Sequence, residues 1–397
     1  MRWTTLPEFE NTPLDWHLSL LQKEADFVFG QSPDSEHYNE QGEGLPFLQG
    51  NADFTETFPR TAFYTRQAGK KCEPKDTLIS VRAPVGELCR ADQQYALGRG
   101  VAALRPLSMD SDFFFYAMNR WRKPLQRAAQ GSTFDAVTGR HFSQLQCLVP
   151  PEGEQTCIAE TLKVADDLIF ALEKQIRKTE RVKKALLQSF PPSPKHGSGI
   201  PLHQVANITS GFTKGRDLSG HETMQVAYLT VVNVLDGRVD ISDLSTTEVK
   251  LHEVEHFGLR DGDILMTEGG DRDKVGRGSI WLGQVPQVVC QNHIFRVRLN
   301  AEKVLPWFMH YLLQTFTAKR YFATRAKQSS NLCSINSREM RLFELPKLTT
   351  KEQYPWVERL RSADTMIVAL EAQLTAARRV KQSLLQNLLT GKIRLKA

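Results

Sequence analysis

An internal repeat constrains this chain more than any other feature of its sequence. When 198 is added to each residue number from 165 to 188, thirteen of the twenty-four residues are identical and no gap is needed. The same offset carries Glu154-Gln155 onto Glu352-Gln353 and Arg140 onto Arg338. A constant offset over this length indicates a duplicated unit. We therefore predict a variable module followed by a helix, with the pair occurring twice.

Each repeat predicts a long helix with one apolar stripe. Apolar or small residues recur in alternating steps of three and four, at 162, 165, 169, 172 and 176 in the first copy and at 360, 363, 367, 370 and 374 in the second. This 3.5-residue spacing is the seam of a coiled coil. Because two seams in one chain can bury each other about a pseudo-two-fold axis, we expect an antiparallel pair with one module at each end. The predicted seam or partner-docking residues are Ile169, Leu172, Ile176, Leu186, Ile367, Leu370, Leu374 and Leu384.

A lysine interrupts each seam at the same place in the repeat. Lys183 and Lys381 stand where an apolar residue is expected, and each follows a valine, Val182 or Val380. A charge at such a position can fix the register of a helix pair. Alternatively, the lysine extends to solvent while the valine takes over the apolar face. We favour the second interpretation.

The modules read as mixed α and β structure. Short β-branched runs bounded by Gly, Asp and Pro predict strands, for example at 76–81 and 228–234, and helical stretches are expected at 112–127 and 306–325. The predicted fold class is α/β (mixed α+β), with two globular domains separated by two long antiparallel coiled-coil helices. The predicted boundaries are 1–150 for the first domain, 151–192 for the first helix, 193–199 for a linker, 200–350 for the second domain and 351–397 for the second helix.

Composition narrows the class of protein. Apolar residues make up 41% of the chain and charged residues 24%, which is ordinary for a folded domain. The longest apolar run, 113–118, is too short to cross a bilayer, and the first residues lack the apolar stretch of a secretory signal. The six cysteines form no C-x-x-C pair, which favours reduced thiols. We expect a cytoplasmic protein.

Basic residues recur at corresponding positions of the two modules. The net charge is only +6, but residues 120–140 and 319–341 each contain several cations and a single carboxylate. Lys and Arg neutralise phosphates, whereas neighbouring Ser, Asn and Gln bond to phosphates or base edges. A solvated helix face is the alternative. The candidate DNA-binding residues are Lys70, Lys71, Arg120, Arg122, Lys123, Arg127, Arg140, Arg272, Lys274, Arg277, Lys319, Arg320, Arg325, Lys327 and Arg338.

Two motifs suggest other chemistry. The sequence 252–256, His-Glu-Val-Glu-His, fits the H-E-x-x-H pattern of zinc hydrolases, but few residues could be helical before Gly258 and no third histidine follows at the expected spacing. We therefore favour a polar connection into the strand at Gly262-Asp263. The glycine-rich stretch 269–278 lacks the Gly-Lys-Ser/Thr ending of a nucleotide-binding loop, so it is either a surface loop or a nucleic-acid contact. No catalytic or metal-binding residue is assigned.

The chain resembles the specificity subunits of type I restriction–modification systems. The resemblance is carried by the repeat helices, above all the ending 380–394, and by Gly262-Asp263-Ile264-Leu265, Gly44-Leu45-Pro46-Phe47 and Pro150-Pro151. It implies that the modules are target-recognition domains, each reading half of an interrupted sequence in double-stranded DNA.

The same resemblance implies a non-catalytic chain with several partners. The helices would dock two methyltransferase subunits, to which restriction subunits add. S-adenosylmethionine, ATP and Mg would be bound by those partners, with no cofactor in this chain. The two copies of the repeat end differently, the first in Ser189-Phe190-Pro191-Pro192 and the second in Asn-Leu-Leu-Thr-Gly at 387–391. This difference implies that the two ends dock their partner subunits unequally. The alternatives are a DNA-binding scaffold of another defence or modification complex and, more remotely, a zinc-dependent hydrolase.

Overall fold

The computed structural model describes residues 13–55, 58–130, 137–194, 197–271, 274–329 and 332–395. The chain divides into two compact units. Unit 1 comprises Met1–Glu173 and Ala372–Ala397, and unit 2 comprises Lys174–Glu371. Both units mix helices and strands, as the predicted fold class requires. In the described residues, no helix is long and apolar enough to cross a membrane.

The first module and the helix that follows it contain these elements: β1 His17–Leu20, α1 Leu21–Glu24, β2 Ala25–Phe29, β3 Tyr38–Asn39, β4 Leu45–Leu48, β5 Tyr64–Thr65, β6 Lys71–Cys72, β7 Thr77–Ser80, β8 Leu88–Arg90, β9 Tyr95–Leu97, β10 Val101–Pro106, α2 Ser111–Trp121, α3 Lys123–Gln130, α4 Gly139–Ser143, β11 Gln146–Val149 and α5 Glu152–Ser189. The helix expected at 112–127 is thus two helices, α2 and α3.

The second module and its helix contain these elements: β12 Ile200–Pro201, β13 Ala206–Ser210, β14 Thr223–Leu229, β15 Val234–Leu235, β16 Arg238–Val239, β17 Ser245–Lys250, α6 Leu251–Phe257, β18 Ile264–Thr267, β19 Gly269–Gly270, β20 Gly278–Ile280, β21 Val288–Cys290, β22 Ile294–Leu299, α7 Pro306–Gln314, α8 Phe316–Arg325, β23 Lys327–Ser329, β24 Leu332–Ser334, α9 Ser337–Arg341, β25 Glu344–Leu345 and α10 Thr350–Leu388. The stretch expected to be helical at 306–325 is again two helices, α7 and α8.

The two modules share a sheet plan that the sequence left open. Unit 1 has a four-stranded antiparallel sheet in the order β2-β10-β7-β8, and unit 2 has one in the order β13-β22-β18-β20. A second sheet in each unit contains one parallel pair, β4 with β9 in unit 1 and β14 with β21 in unit 2. The duplication therefore extends through the modules, where the sequences have diverged.

Both long helices contribute to the hydrophobic core of each unit. In unit 1, Ile158 and Leu162 near the start of α5 are buried in the same core as Leu388, the last residue of α10. In unit 2, Leu360 near the start of α10 shares a core with Phe190, which follows the end of α5. The start of one helix therefore packs with the end of the other in both units.

Ion pairs between the helices show their direction. In unit 1, Asp166 pairs with Lys381, and Glu173 pairs with Arg378 at 2.7 Å. The partner's number falls as the number on α5 rises, so the helices run antiparallel, as predicted. Of the predicted seam residues, three are buried and five are half-buried: Leu172, Ile176 and Leu370, and then Ile169, Leu186, Ile367, Leu374 and Leu384.

The solvent-directed orientation favoured for the two seam lysines is wrong. Lys183 Nζ lies 2.6 Å from a carboxylate oxygen of Asp364 in unit 2, and Lys381 makes the equivalent pair with Asp166 in unit 1. The valines are instead the exposed residues, Val182 by 50% and Val380 by 57%. The lysines face the partner helix because a carboxylate there compensates for their loss of hydration.

A tyrosine completes each of these ion pairs. Tyr116 on α2 donates a hydrogen bond of 2.7 Å to Asp166, and Tyr311 on α7 donates one of 2.7 Å to Asp364. Burial and the neighbouring carboxylate raise the pKa of both tyrosines, so each stays protonated and remains a donor. Each Tyr–Asp–Lys triad thus connects a module to both long helices.

In the repeated Glu-Gln pair, the glutamine makes the same contact in both copies, whereas the glutamate does not. Gln155 accepts a 2.9 Å hydrogen bond from the Asp110 amide, and Gln353 accepts one of the same length from the Leu305 amide, at the N-terminal ends of α2 and α7. Glu154, only 4% exposed, instead receives hydrogen bonds from Trp16 and Arg394. Its counterpart Glu352 is exposed and accepts from Thr349. The residues at the two ends of the repeat therefore make different contacts.

Unit 2 carries a buried histidine that makes its stability depend on pH. Burial lowers the pKa of His310 from 6.5 to about 4, and its Nδ1 accepts a 3.2 Å hydrogen bond from the Ile280 amide. The unfolded chain therefore takes up this proton at higher pH than the folded one. The contribution of neutral His310 is present above pH 6.5 and is lost as the pH falls towards 4.

His310→Asn is expected to reduce the loss of thermal stability between pH 6.5 and 4, because asparagine keeps an acceptor but takes up no proton. Thermal unfolding followed across this range measures the effect. His203→Asn provides the comparison, because it removes an exposed histidine and leaves the buried one in place. Identical pH profiles for wild type and the His310 variant would contradict the assignment.

Candidate nucleic-acid interface

In unit 2, the structure brings together two segments that were considered separately in the sequence. The glycine-rich stretch begins with β19, which pairs with β24 in a three-stranded sheet whose other edge is β23. The Ile335 amide also donates a 2.8 Å hydrogen bond to the Glu268 carbonyl. The loop after β18 and the basic segment 319–341 therefore form one surface.

Unit 1 places the corresponding segments together. The Val137 amide donates a 2.8 Å hydrogen bond to the Val81 carbonyl, at the start of the loop that follows β7. Val137 and Ile335 are equivalent in the repeat, and β7 and β18 occupy equivalent places in their sheets. Arg122 donates to the carbonyl of Gly86, so α3 begins beside the same loop. Both units thus join a strand-end loop to a basic segment.

An ion pair between an arginine and a buried aspartate fixes the start of each strand that leads to these loops. Asp76 accepts two hydrogen bonds from Arg105, at 2.9 and 2.8 Å, and Asp263 accepts two of 2.7 Å from Arg298. Both aspartates are nearly inaccessible to solvent. The residue before Asp263, Gly262, has φ +87°, a left-handed conformation that favours glycine. Bidentate pairs of this kind hold the sheet, and hence the loops, in one geometry.

Exposed cations on this surface of unit 2 are available for phosphate contacts. In the part of the chain that the structure describes, Arg320 on α8, Lys327 on β23 and Arg338 on α9 are exposed and make no ion pair. Lys319 pairs with Asp236, and Arg325 lies 3.4 Å from Glu339. The free cations are therefore better placed than the paired ones to neutralise phosphates.

The other candidate DNA-binding residues also divide into side chains that are paired or half-buried and side chains that are exposed. Lys274 pairs with Asp271, and half-buried Arg277 donates to the Val231 carbonyl at 3.4 Å. Arg272 lies outside the described residues. In unit 1, Arg120 is half-buried, and Arg122 is bound to Gly86, its pKa lowered by burial. Five unit 1 candidates are exposed: Lys70, Lys71, Lys123, Arg127 and Arg140.

The sequence analysis missed two polar residues beside these loops. Arg82 lies two residues after the end of β7 and is exposed. His293 precedes β22, and its Nδ1 lies 2.9 Å from a carboxylate oxygen of Glu268. Neither residue belongs to a basic run, so the charge pattern did not indicate it. The position of Arg82 just beyond a predicted strand was the available signal.

The H-E-x-x-H motif forms α6, and its glutamate has structural partners. Glu253 accepts a 3.0 Å hydrogen bond from the Lys250 amide and forms an ion pair with Arg216, contacts that help to hold its pKa below the usual range. Among the described residues, the ligand atoms close enough to share an ion belong to Asp34, Glu36 and His37, not to the motif. These contacts give no support to the zinc-hydrolase alternative.

Comparison with known proteins shows which family the chain resembles. Residues 30–180 match the family model described as "Type I restriction modification DNA specificity domain". The MjaX specificity subunit of Methanocaldococcus jannaschii is 36% identical over 184 residues, which cover 45% of this chain and 43% of that protein. The MjaVIII specificity subunit of the same organism is 25% identical and matches over 72% of this chain and 71% of its own length. The chain thus spans less than half of the length of the first of these relatives.

Solved structures show the same fold over nearly the whole chain. The S subunit of a type I restriction–modification system from M. genitalium superimposes with a TM-score of 0.61 at 15% identity, covering 96% of each chain. A structure described as showing complex assembly and conformational transition of the type I system gives a TM-score of 0.58 at 13% identity, covering 97% of this chain and 100% of that one. These two likenesses show the fold of the chain. The chain is therefore similar to the specificity subunits of type I restriction–modification systems, in sequence over the matched residues and in fold over nearly its whole length.

Proposed function

We propose that this chain is a non-catalytic DNA-reading subunit, and that each unit contacts one half of an interrupted target sequence. The observation that carries the proposal is the duplicated surface, in which a strand-end loop lies beside a basic segment in both units. Cations supply affinity for the phosphates, whereas the loops supply groups for the base edges. Because the two recognition surfaces belong to one chain, binding of the first to a duplex brings the second close to it. The second surface then binds with little further loss of translational and rotational entropy.

The partners we propose are two methyltransferase subunits and, through them, restriction subunits. The outer faces of α5 and α10 expose apolar side chains at repeat-equivalent positions: Leu168 and Met366, Phe170 and Val368, and Val182 and Val380. Exposed apolar residues on a charged helix favour contact with another protein. Their duplication fits two copies of the same subunit. We further propose that S-adenosylmethionine, ATP and Mg are bound by these partners, since this chain provides only recognition and docking.

Copurification tests the proposal. The chain is coexpressed with a type I methyltransferase subunit. The mass of the complex is measured by native mass spectrometry, and the complex is used to select duplexes from a random library. We expect two methyltransferase subunits per chain and enrichment of two short elements separated by a fixed, unspecified spacer. Selection of a single uninterrupted element, or of no sequence at all, would contradict the proposed function.

A further inference from the structure

Helix α6, which carries the H-E-x-x-H motif, presents a largely polar face to the outside of unit 2. Leu251, His252, Glu255 and His256 are all exposed and lie on one side of the helix. In the part of the chain that the structure describes, the side chains of these residues make no hydrogen bond or ion pair. This outer face therefore offers donors, an acceptor and one apolar group to a ligand.

Several side-chain contacts hold the inner face of α6 against the rest of unit 2. Glu253 pairs with Arg216, and the guanidinium of Arg216 lies 5.8 Å from the ring of Phe257. Arg296 donates to the carbonyls of His256 and Gly258, at 2.7 and 3.2 Å, at the end of the helix. Side chains held by such a support keep one orientation, as a recognition element requires.

The position of α6 corresponds to a basic site in unit 1. In the backbone pairing of β6 with β9, Lys71 lies opposite Ala96 in the antiparallel register. Gly258, which follows α6, makes the same kind of antiparallel β-bridge to Val289 on β21. Since β9 and β21 occupy equivalent places beside their parallel partners, α6 stands where Lys70 and Lys71 stand in the first module. Two exposed lysines at that place are candidates for DNA contact.

Helix α6 is also connected to the loop after β18. Arg216, which holds the helix, lies 5.6 Å from the ring of Phe212. The carbonyl of Phe212 accepts a 2.9 Å hydrogen bond from the amide of Asn292, whose neighbour His293 contacts Glu268. The helix and the glycine-rich loop therefore belong to one continuous region of unit 2.

We propose that the outer face of α6 enters a groove of the duplex and reads bases of the half-site bound by unit 2. This inference rests on the proposed function and deepens it by naming the reading residues. Base edges present donors, acceptors and methyl groups, and histidine, glutamate and leucine supply groups that can contact each of these. The exposed cations of the basic segment in the same unit supply the phosphate contacts that position the helix.

The experiment measures binding to the wild-type target by the complex of this chain with its methyltransferase subunits. A base contact contributes about 1–3 kcal/mol of discrimination, which corresponds to about 5- to 150-fold in affinity. We expect His252→Ala and His256→Ala each to weaken binding within this range, and Glu255→Ala to relax the preference at one base pair. Bases recognised by unit 1 should be unaffected.

Glu302→Ala, an exposed loop variant of unit 2, is the matched control and should bind like wild type. Unchanged thermal unfolding establishes that each variant is folded. Wild-type selectivity at every position in all three α6 variants would overturn the inference while leaving the proposed function intact. Loss of methyltransferase copurification with unchanged DNA selectivity would overturn it by making the face a protein contact. A wild-type complex without sequence preference would instead refute the proposed function.

Discussion

Replacing Arg320, Lys327 and Arg338 together by glutamine is expected to weaken DNA binding about 100-fold near 0.15 M salt. These three cations of unit 2 are exposed and unpaired within the described residues. Each phosphate contact releases condensed counterions and contributes about 0.9 to the slope of log affinity against log salt. The slope should therefore fall by about 3, as measured by fluorescence anisotropy with a target duplex.

The matched control removes the same number of positive charges from another part of unit 2. Lys303, Lys347 and Lys351 are exposed but lie outside the basic segment, near the start of α10. Their triple replacement by glutamine should change the salt slope by less than about 1. If both triple variants lower the affinity and the slope equally, binding depends on net charge alone, and the assigned surface is wrong.

Reversing the charge of Lys381 is expected to destabilise unit 1 by about 1–2 kcal/mol. Lys381→Glu would place a second carboxylate against Asp166, which already accepts the hydroxyl of Tyr116. The pair is half-buried, with side-chain exposures of 29% for Lys381 and 36% for Asp166, so solvent screens part of the repulsion between the two carboxylates. Thermal or guanidinium unfolding of the purified chain measures the loss.

The duplication provides an internal control for this variant. Adding Asp166→Lys should restore much of the lost stability, because the pair is re-formed with the charges exchanged. Adding Asp364→Lys instead should not, because Asp364 pairs with Lys183 in unit 2. Rescue by Asp364→Lys and not by Asp166→Lys would show that the helices pair in another register.

The sequence predicts the long helices well because their signal is local. Apolar residues at 3.5-residue spacing define the seam, and its members are buried or half-buried in the structure. The two seam lysines were misinterpreted because their partners are remote. Asp364 is 181 residues from Lys183 along the chain, and the adjacent Val182 offers an apolar substitute that the fold leaves exposed. Only the antiparallel register reveals which of the two residues faces inward.

The candidate interface was predicted in parts but not as a whole. The basic segments and the glycine-rich stretch were each recognised by composition, whereas their union depends on the pairing of Gly269 with Ser334 across 65 residues. Long-range strand pairing of this kind has no local signature, since its register follows from tertiary packing. For the same reason the sequence did not distinguish the free cation Arg320 from Lys319, which Asp236 neutralises.

Genome-wide mapping of methylated adenines, in cells that express this chain with a type I methyltransferase subunit, tests the central claim most directly. The account predicts modification at one interrupted sequence, two specific elements with a spacer of constant length. Variants of the unit 2 surface should relax one element and leave the other unchanged. Adenine methylation that does not depend on this chain, or that falls in an uninterrupted sequence, would contradict the account.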